Sequence, residues 1–145
     1  MSDTKFRYAP PPVMDDPYAD DWTRPFWEAT SQEVLTAPRC TNCGKFRLPP
    51  GRFCSKCLTQ SFEWVELPGT GSLFSFIVVR HPLRPDDATY VPYIPAVVQA
   101  DGAPGCRFTS NVVDVDPADV VCDMKLQVVW NHITDQFVVP FWTKA

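Results

Sequence analysis

Four cysteines within 18 residues, in the stretch CTNCGKFRLPPGRFCSKC from Cys40 to Cys57, constrain this chain more than any other feature. They form two Cys-x-x-Cys pairs separated by ten residues. Residues three apart in a tight turn can aim two thiolates at one ion, and Gly44, next to Cys43, supplies the open backbone such a turn needs. Pro49, Pro50 and Gly51 lie between the pairs and let the chain fold back as a short ribbon. Four thiolates complete a tetrahedron and leave no position for water or substrate, so the expected site is structural. A segment too small for a core of its own then takes folding energy from the metal. On this reading, loss of one sulfur unfolds the N-terminal half and leaves the rest folded. Zinc is the expected ion, one per chain. Iron in a rubredoxin-type site uses the same ligands, and spacing alone leaves it open. Redox-active pairs would need a thioredoxin-like strand–helix setting that neither pair has.

The remainder must fold with few long helices, because 16 of the 145 residues are proline. A hydrophobic fraction of 45% is enough for a core. The formal charge of −4 and pI near 5.0 provide no basic field for a polyanion. No apolar run of about 18 residues spans a membrane, and the N-terminus MSDTKFRYAPPPVMDD lacks a signal-peptide core. A cytoplasmic setting follows, in which paired cysteines bind metal more often than they form disulfides. Cys106 and Cys122 read as buried small residues.

Along the chain, residues 1–21 read as an extended arm that orders only against something else. Residues 22–36 form a short aromatic helix and lead-in, with Thr23 as N-cap, Pro25 in the first turn and Glu28 early in the helix. Trp22, Phe26 and Trp27 cluster on one side of it and are candidates for a partner interface as well as for docking to the core. Residues 37–62 form the zinc ribbon. Residues 63–145 carry five β-like runs: GSLFSFIVVRH, YIPAVVQADG, CRFTSNVVDV, MKLQVVWN and QFVVPFW. Even spacing without long helices predicts a small closed barrel of OB type. The expected fold is mainly β: a short N-terminal helix and four-cysteine ribbon, followed by a five-stranded OB-fold barrel.

The order of PFWEAT, RCTNCGKFRLPPGRFCSKC, EWVELPGTGSLFSFIVV, YVPYIPAVVQADG, SNVVDVDPADV and FVVPFW resembles the rubredoxin-like zinc-ribbon plus OB-fold family known as domain of unknown function 35. The likeness covers about residues 22–142, and the ribbon followed by Gly-x-Gly-x-Leu-x-Ser-Phe is its most specific part. It implies zinc ligation by Cys40, Cys43, Cys54 and Cys57, with Gly69 and Gly71 shaping the start of the first barrel strand. It also implies a hetero-oligomer with a thiolase-fold acyl-CoA enzyme, namely an acyltransferase, thiolase or steroid side-chain aldolase. In such a pair this chain stabilises the enzyme and helps shape its acyl-CoA channel. Asp123 stands where the family usually has glycine before the fourth barrel strand, so a different strand start is expected there. Gly105 and Cys106 replace larger residues.

Catalytic machinery is hard to find in the sequence. His81 and His132 read as loop residues without acid–base partners, and Asp86, Asp87, Asp114, Asp116, Asp119 and Asp123 as solvated loop acids. Arg80 and Arg84 flank the first long barrel loop and are candidates for CoA phosphates; Arg47 and Arg52 are weaker ones. The competing function is a nucleic-acid-binding module, since OB barrels and zinc ribbons both serve that role, but it lacks the Lys/Arg stripe. Electron transfer through iron is a third possibility.

Overall fold

A computed structural model of the chain describes residues 5–12 and 19–145. Helix α1 (Arg24–Ser31) is followed by β1 (Thr36–Cys40), β2 (Phe62–Glu66), β3 (Thr70–Phe76), β4 (Ile94–Ala100), β5 (Arg107–Val112), β6 (Lys125–His132) and β7 (Val138–Lys144). Strands β3 to β7 close a barrel in the order β3-β4-β5-β7-β6. Its neighbours are antiparallel except β5 and β7, which meet in parallel at Val112 and Trp142. Strong alternation makes this possible. Ile94, Ala96, Val98 and Ala100 of β4 are buried while the residues between them are not, the period-2 pattern of a strand with one face on a core.

Glycine governs where the barrel starts. Gly69 has φ +77°, and a Cβ there would lie 2.9 Å from Val128 Cγ1. A Cβ on Gly71 would lie 2.5 Å from the Gln99 carbonyl oxygen, so only glycine lets β3 and β4 approach this closely. The run read as one long first strand stops at Phe76; beyond it the Ile77 amide donates to the Pro95 carbonyl at 3.0 Å and Val79 bridges to Tyr93. Asp123 adopts φ +67°, a conformation glycine takes freely and aspartate tolerates. Its amide donates to the Leu73 carbonyl at 2.8 Å. The aspartate thus takes, before β6, the left-handed conformation that a glycine would take.

The ribbon and barrel share one core. Strand β1 pairs antiparallel with β2, from Thr36 opposite Glu66 to Cys40 opposite Phe62. Leu35 and Ala37 then pack in the same buried cluster as Leu67, Leu73, Ile94, Leu126 and Trp142. The expectation that the N-terminal half unfolds alone therefore gives way to a single coupled unit.

Three local expectations are corrected. Thr23 sits at the N-cap position but makes no side-chain cap, and the first turn of α1 has no acidic residue, Glu28 lying beyond it. Asp20 Oδ1 instead fixes the turn before the helix, accepting from the Trp22 and Thr23 amides at 3.0 and 2.8 Å and from the Thr23 hydroxyl at 2.9 Å. Cys122 is exposed, although Cys106 is buried as expected. Asp87 is buried, held by Arg84.

The described part of the arm docks on the barrel. Phe6 meets Phe141 edge-on at 6.0 Å, and Ala9 is buried with Val113 and Phe141. The Arg7 amide donates to Asp114 Oδ1 at 2.7 Å, and the Asp114 amide returns a bond to the Arg7 carbonyl at 2.9 Å. Residues 1–4 and 13–18 of the expected arm lie outside the described residues.

Candidate metal centre

Each cysteine pair sits on a turn of the same construction. In the first, the Gly44 amide donates to the Cys40 carbonyl at 3.0 Å, and the Cys40 amide to the Lys45 carbonyl at 2.9 Å. In the second, Leu58 donates to Cys54 and Cys54 to Thr59, both at 2.9 Å. The fifth residue counted from the first cysteine of each pair turns left-handed: Gly44 at φ +74° and Leu58 at φ +61°. Gly44 does so freely, as its sequence position suggested, whereas Leu58 bears steric cost with its side chain 73% exposed. Leu58→Gly is therefore expected to stabilise the zinc-loaded protein by about 0.5–1 kcal/mol, the left-handed penalty less glycine's added chain entropy. Chemical unfolding of the two proteins measures this, and a less stable variant would show that the Leu58 side chain contributes packing.

The two turns bring all four sulfurs within 4.8 Å of one another. Cys40 Sγ lies 3.6 Å from Cys57 Sγ, and Cys43 Sγ 3.5 Å from Cys54 Sγ. Cys40 and Cys54 are buried, Cys43 and Cys57 half-buried. Hydrogen bonds from the Asn42 side chain first, then from Thr59, bring the Cys57 thiol down to about 5. Amides of Lys56 and Cys57 lower Cys54. At Cys43 the Lys45 amide favours the thiolate, yet burial and the three neighbouring sulfurs outweigh it and push the thiol up to about 11. Four sulfurs this close cannot all ionise without a cation between them. The set fits one structural zinc ion: four soft donors, close enough together to fill all four positions of a tetrahedral site and leave none open.

Arg47 braces the centre. Its guanidinium donates to the Thr59 and Gln60 carbonyls at 3.2 and 2.6 Å and lies 4.8 Å from the centre of the Phe62 ring. The weak expectation of a phosphate role for Arg47 is thus replaced by a structural one. Of the two main candidates, Arg84 is gripped by both oxygens of Asp87 at 2.9 and 3.1 Å, so a phosphate must compete with that carboxylate. Arg80 is exposed.

The helix aromatics face their own chain. Trp22 stacks on Phe62 at 5.9 Å, Phe26 on Phe108 at 6.3 Å, and Trp27 meets Phe137 edge-on at 6.1 Å. Trp22 alone remains substantially exposed. A groove of about 460 Å³ runs between Pro10–Pro12, Phe26, Trp27 and strands β5 and β7. At its rim, His132 Nε2 lies 2.8 Å from Glu33 Oε1, a partner 99 residues away that no local pattern announces. His81 is exposed. Among the described residues, no helix is long and apolar enough to cross a membrane.

Comparison with known proteins agrees with this geometry. Residues 27–63 match the ChsH2 rubredoxin-like zinc ribbon domain, and residues 64–131 match the ChsH2 C-terminal OB-fold domain. A DUF35 domain-containing scaffold protein of Methanocaldococcus jannaschii is 32% identical over 102 residues, which cover 70% of each chain. The chain belongs to the DUF35 family. This DUF35 chain is also 35% identical over 123 residues to a probable enoyl-CoA hydratase alpha subunit of Thermomonospora curvata. The match takes in 83% of the present chain but only 37% of that longer relative. Among solved structures, a chain of the Ltp2-ChsH2(DUF35) aldolase superposes with a TM-score of 0.78 at 29% identity. That likeness covers 89% of this DUF35 chain and 98% of the other.

Proposed function

We propose that this chain is a non-catalytic accessory subunit that docks on and stabilises a thiolase-fold acyl-CoA enzyme. The observation that carries the reading is the two-way coverage, 89% and 98%, of its likeness to a chain of the Ltp2-ChsH2(DUF35) aldolase. The scaffold name of the archaeal relative points the same way. A four-sulfur zinc site has no position left for substrate, so the reaction falls to the partner. The partner's chemistry is that of an acyltransferase, a thiolase or a steroid side-chain aldolase, acting in the cytoplasm. Trp22 keeps one exposed aromatic face for contact beside the ribbon. Arg80 is the cation of the first barrel loop best placed to meet a CoA phosphate at the channel mouth, because Asp87 occupies Arg84.

The reading is tested by assaying a thiolase-fold subunit from the same organism on CoA esters, with and without this chain. The chain alone is expected to show no turnover, and the mixture to exceed the enzyme subunit alone in activity and heat resistance. Equal activity and equal heat resistance in both samples would remove the accessory role.

A further inference from the structure

The outer face of β3 and β4 exposes a group of apolar side chains beside Ser72, Ser75 and Gln99. Strand β3 carries an irregularity between Leu73 and Ser75, where Leu73 pairs with Val98 and Ser75 with Val97. Leu73 and Phe76 point into the core, which turns Phe74 and Ile77 outward; they are 50% and 62% exposed. Pro95 and Val97 share that side, because their neighbours Ile94, Ala96 and Val98 point inward. Val121 is exposed on the turn whose Asp123 amide bonds Leu73, and Leu83 on the loop that follows β3. Three of the seven large hydrophobic side chains exposed among the described residues belong to β3 and the loop that follows it, and a fourth, Val121, to the turn before β6.

Cations edge this face. The Arg107 guanidinium lies 3.6 Å from the centre of the Phe74 ring, and Lys125 stands beside Ser72 on β6. Neither has a carboxylate within ion-pair distance among the described residues, although Arg7, Arg24, Arg39 and Arg84 all do. Of the nearby acids, Asp101 is engaged by the Thr70 hydroxyl at 2.7 Å, and Asp123 lies two residues before Lys125. In a chain of net charge −4, an apolar strip flanked by unpaired cations is complementary to an apolar protein surface fringed with carboxylates.

From this face we infer that the accessory subunit meets its enzyme through Phe74, Ile77, Pro95 and Val97, with Arg107 and Lys125 taking carboxylates of that subunit. The inference rests on the accessory-subunit reading and gives it a surface. It places the principal contact on the barrel, because Phe26 and Trp27 are packed against β5 and the β6–β7 turn of their own chain.

The test titrates a purified thiolase-fold subunit from the same organism into the full-length, zinc-loaded chain and reads the dissociation constant by calorimetry. Phe74→Asp combined with Ile77→Asp is expected to weaken binding at least about 100-fold, as loss of central interface anchors does. Arg107→Glu is expected to weaken it by about tenfold and to flatten its salt dependence. Zinc content and unfolding of the variants, all altered at exposed positions, serve as the check on folding. Wild-type binding that the double variant retains overturns the assigned surface and leaves the accessory role standing. No binding by the wild type overturns both. Self-association of the wild type that Ile77→Asp abolishes makes a second copy the occupant and also overturns the inference.

Discussion

Replacing Cys43 with serine is expected to empty the metal site and destabilise the whole chain, not the ribbon alone. Zinc supplies about 10–16 kcal/mol of apparent folding energy in zinc-finger peptides, and a lost thiolate forfeits a large share of it. The effect spreads because Cys40 ends β1, while Leu35 and Ala37, at the other end of the same segment, lie in the cluster that holds Leu73, Ile94 and Trp142. Loosening β1 therefore uncovers one end of the barrel core. A drop of several kcal/mol in a single transition is expected, together with the fall of zinc content from one ion per chain to none. Metal analysis and thermal unfolding of the same sample measure both. Retained zinc with unchanged unfolding would contradict the four-sulfur centre, and a separate low-temperature transition would contradict the shared core.

The second large effect is expected at Gly71. An added Cβ would come within 2.5 Å of the Gln99 carbonyl oxygen and 3.1 Å of Val98 Cγ1. The first of these is backbone that also holds the β3–β4 ladder, so relief requires strand separation rather than a rotamer change. Gly71→Ala should cost about 2–4 kcal/mol and leave zinc binding intact in the folded fraction. Denaturant unfolding gives the number. A cost below about 0.5 kcal/mol would mean that the strands can move apart without penalty.

These two sites show what the chain makes legible. The cysteine spacing and Gly44 could be read directly because metal-ligand turns are local, and five strands could be counted because alternation is local too. Pairing over distance was not legible. Strand β2 joins β1 across the whole ribbon, which ties FEWVE to the metal centre as well as to the barrel that follows. Glu33 finds His132 across 99 residues, and Arg47 turns from a surface charge into a brace only once Thr59 and Gln60 are folded beside it. Leu58 could have been inferred by laying one Cys-x-x-Cys turn over the other, where it falls on Gly44. The inward turn of Phe26 and Trp27 depends on Phe108 and Phe137, residues that helix periodicity does not reveal.

The most direct measurement is affinity purification of the tagged full chain from its native host, with the accompanying proteins identified and quantified by mass spectrometry. The accessory-subunit role predicts a thiolase-fold protein in near-stoichiometric amount, together with one zinc ion per chain. Recovery of the chain by itself, or with RNA in place of a protein partner, would contradict that role.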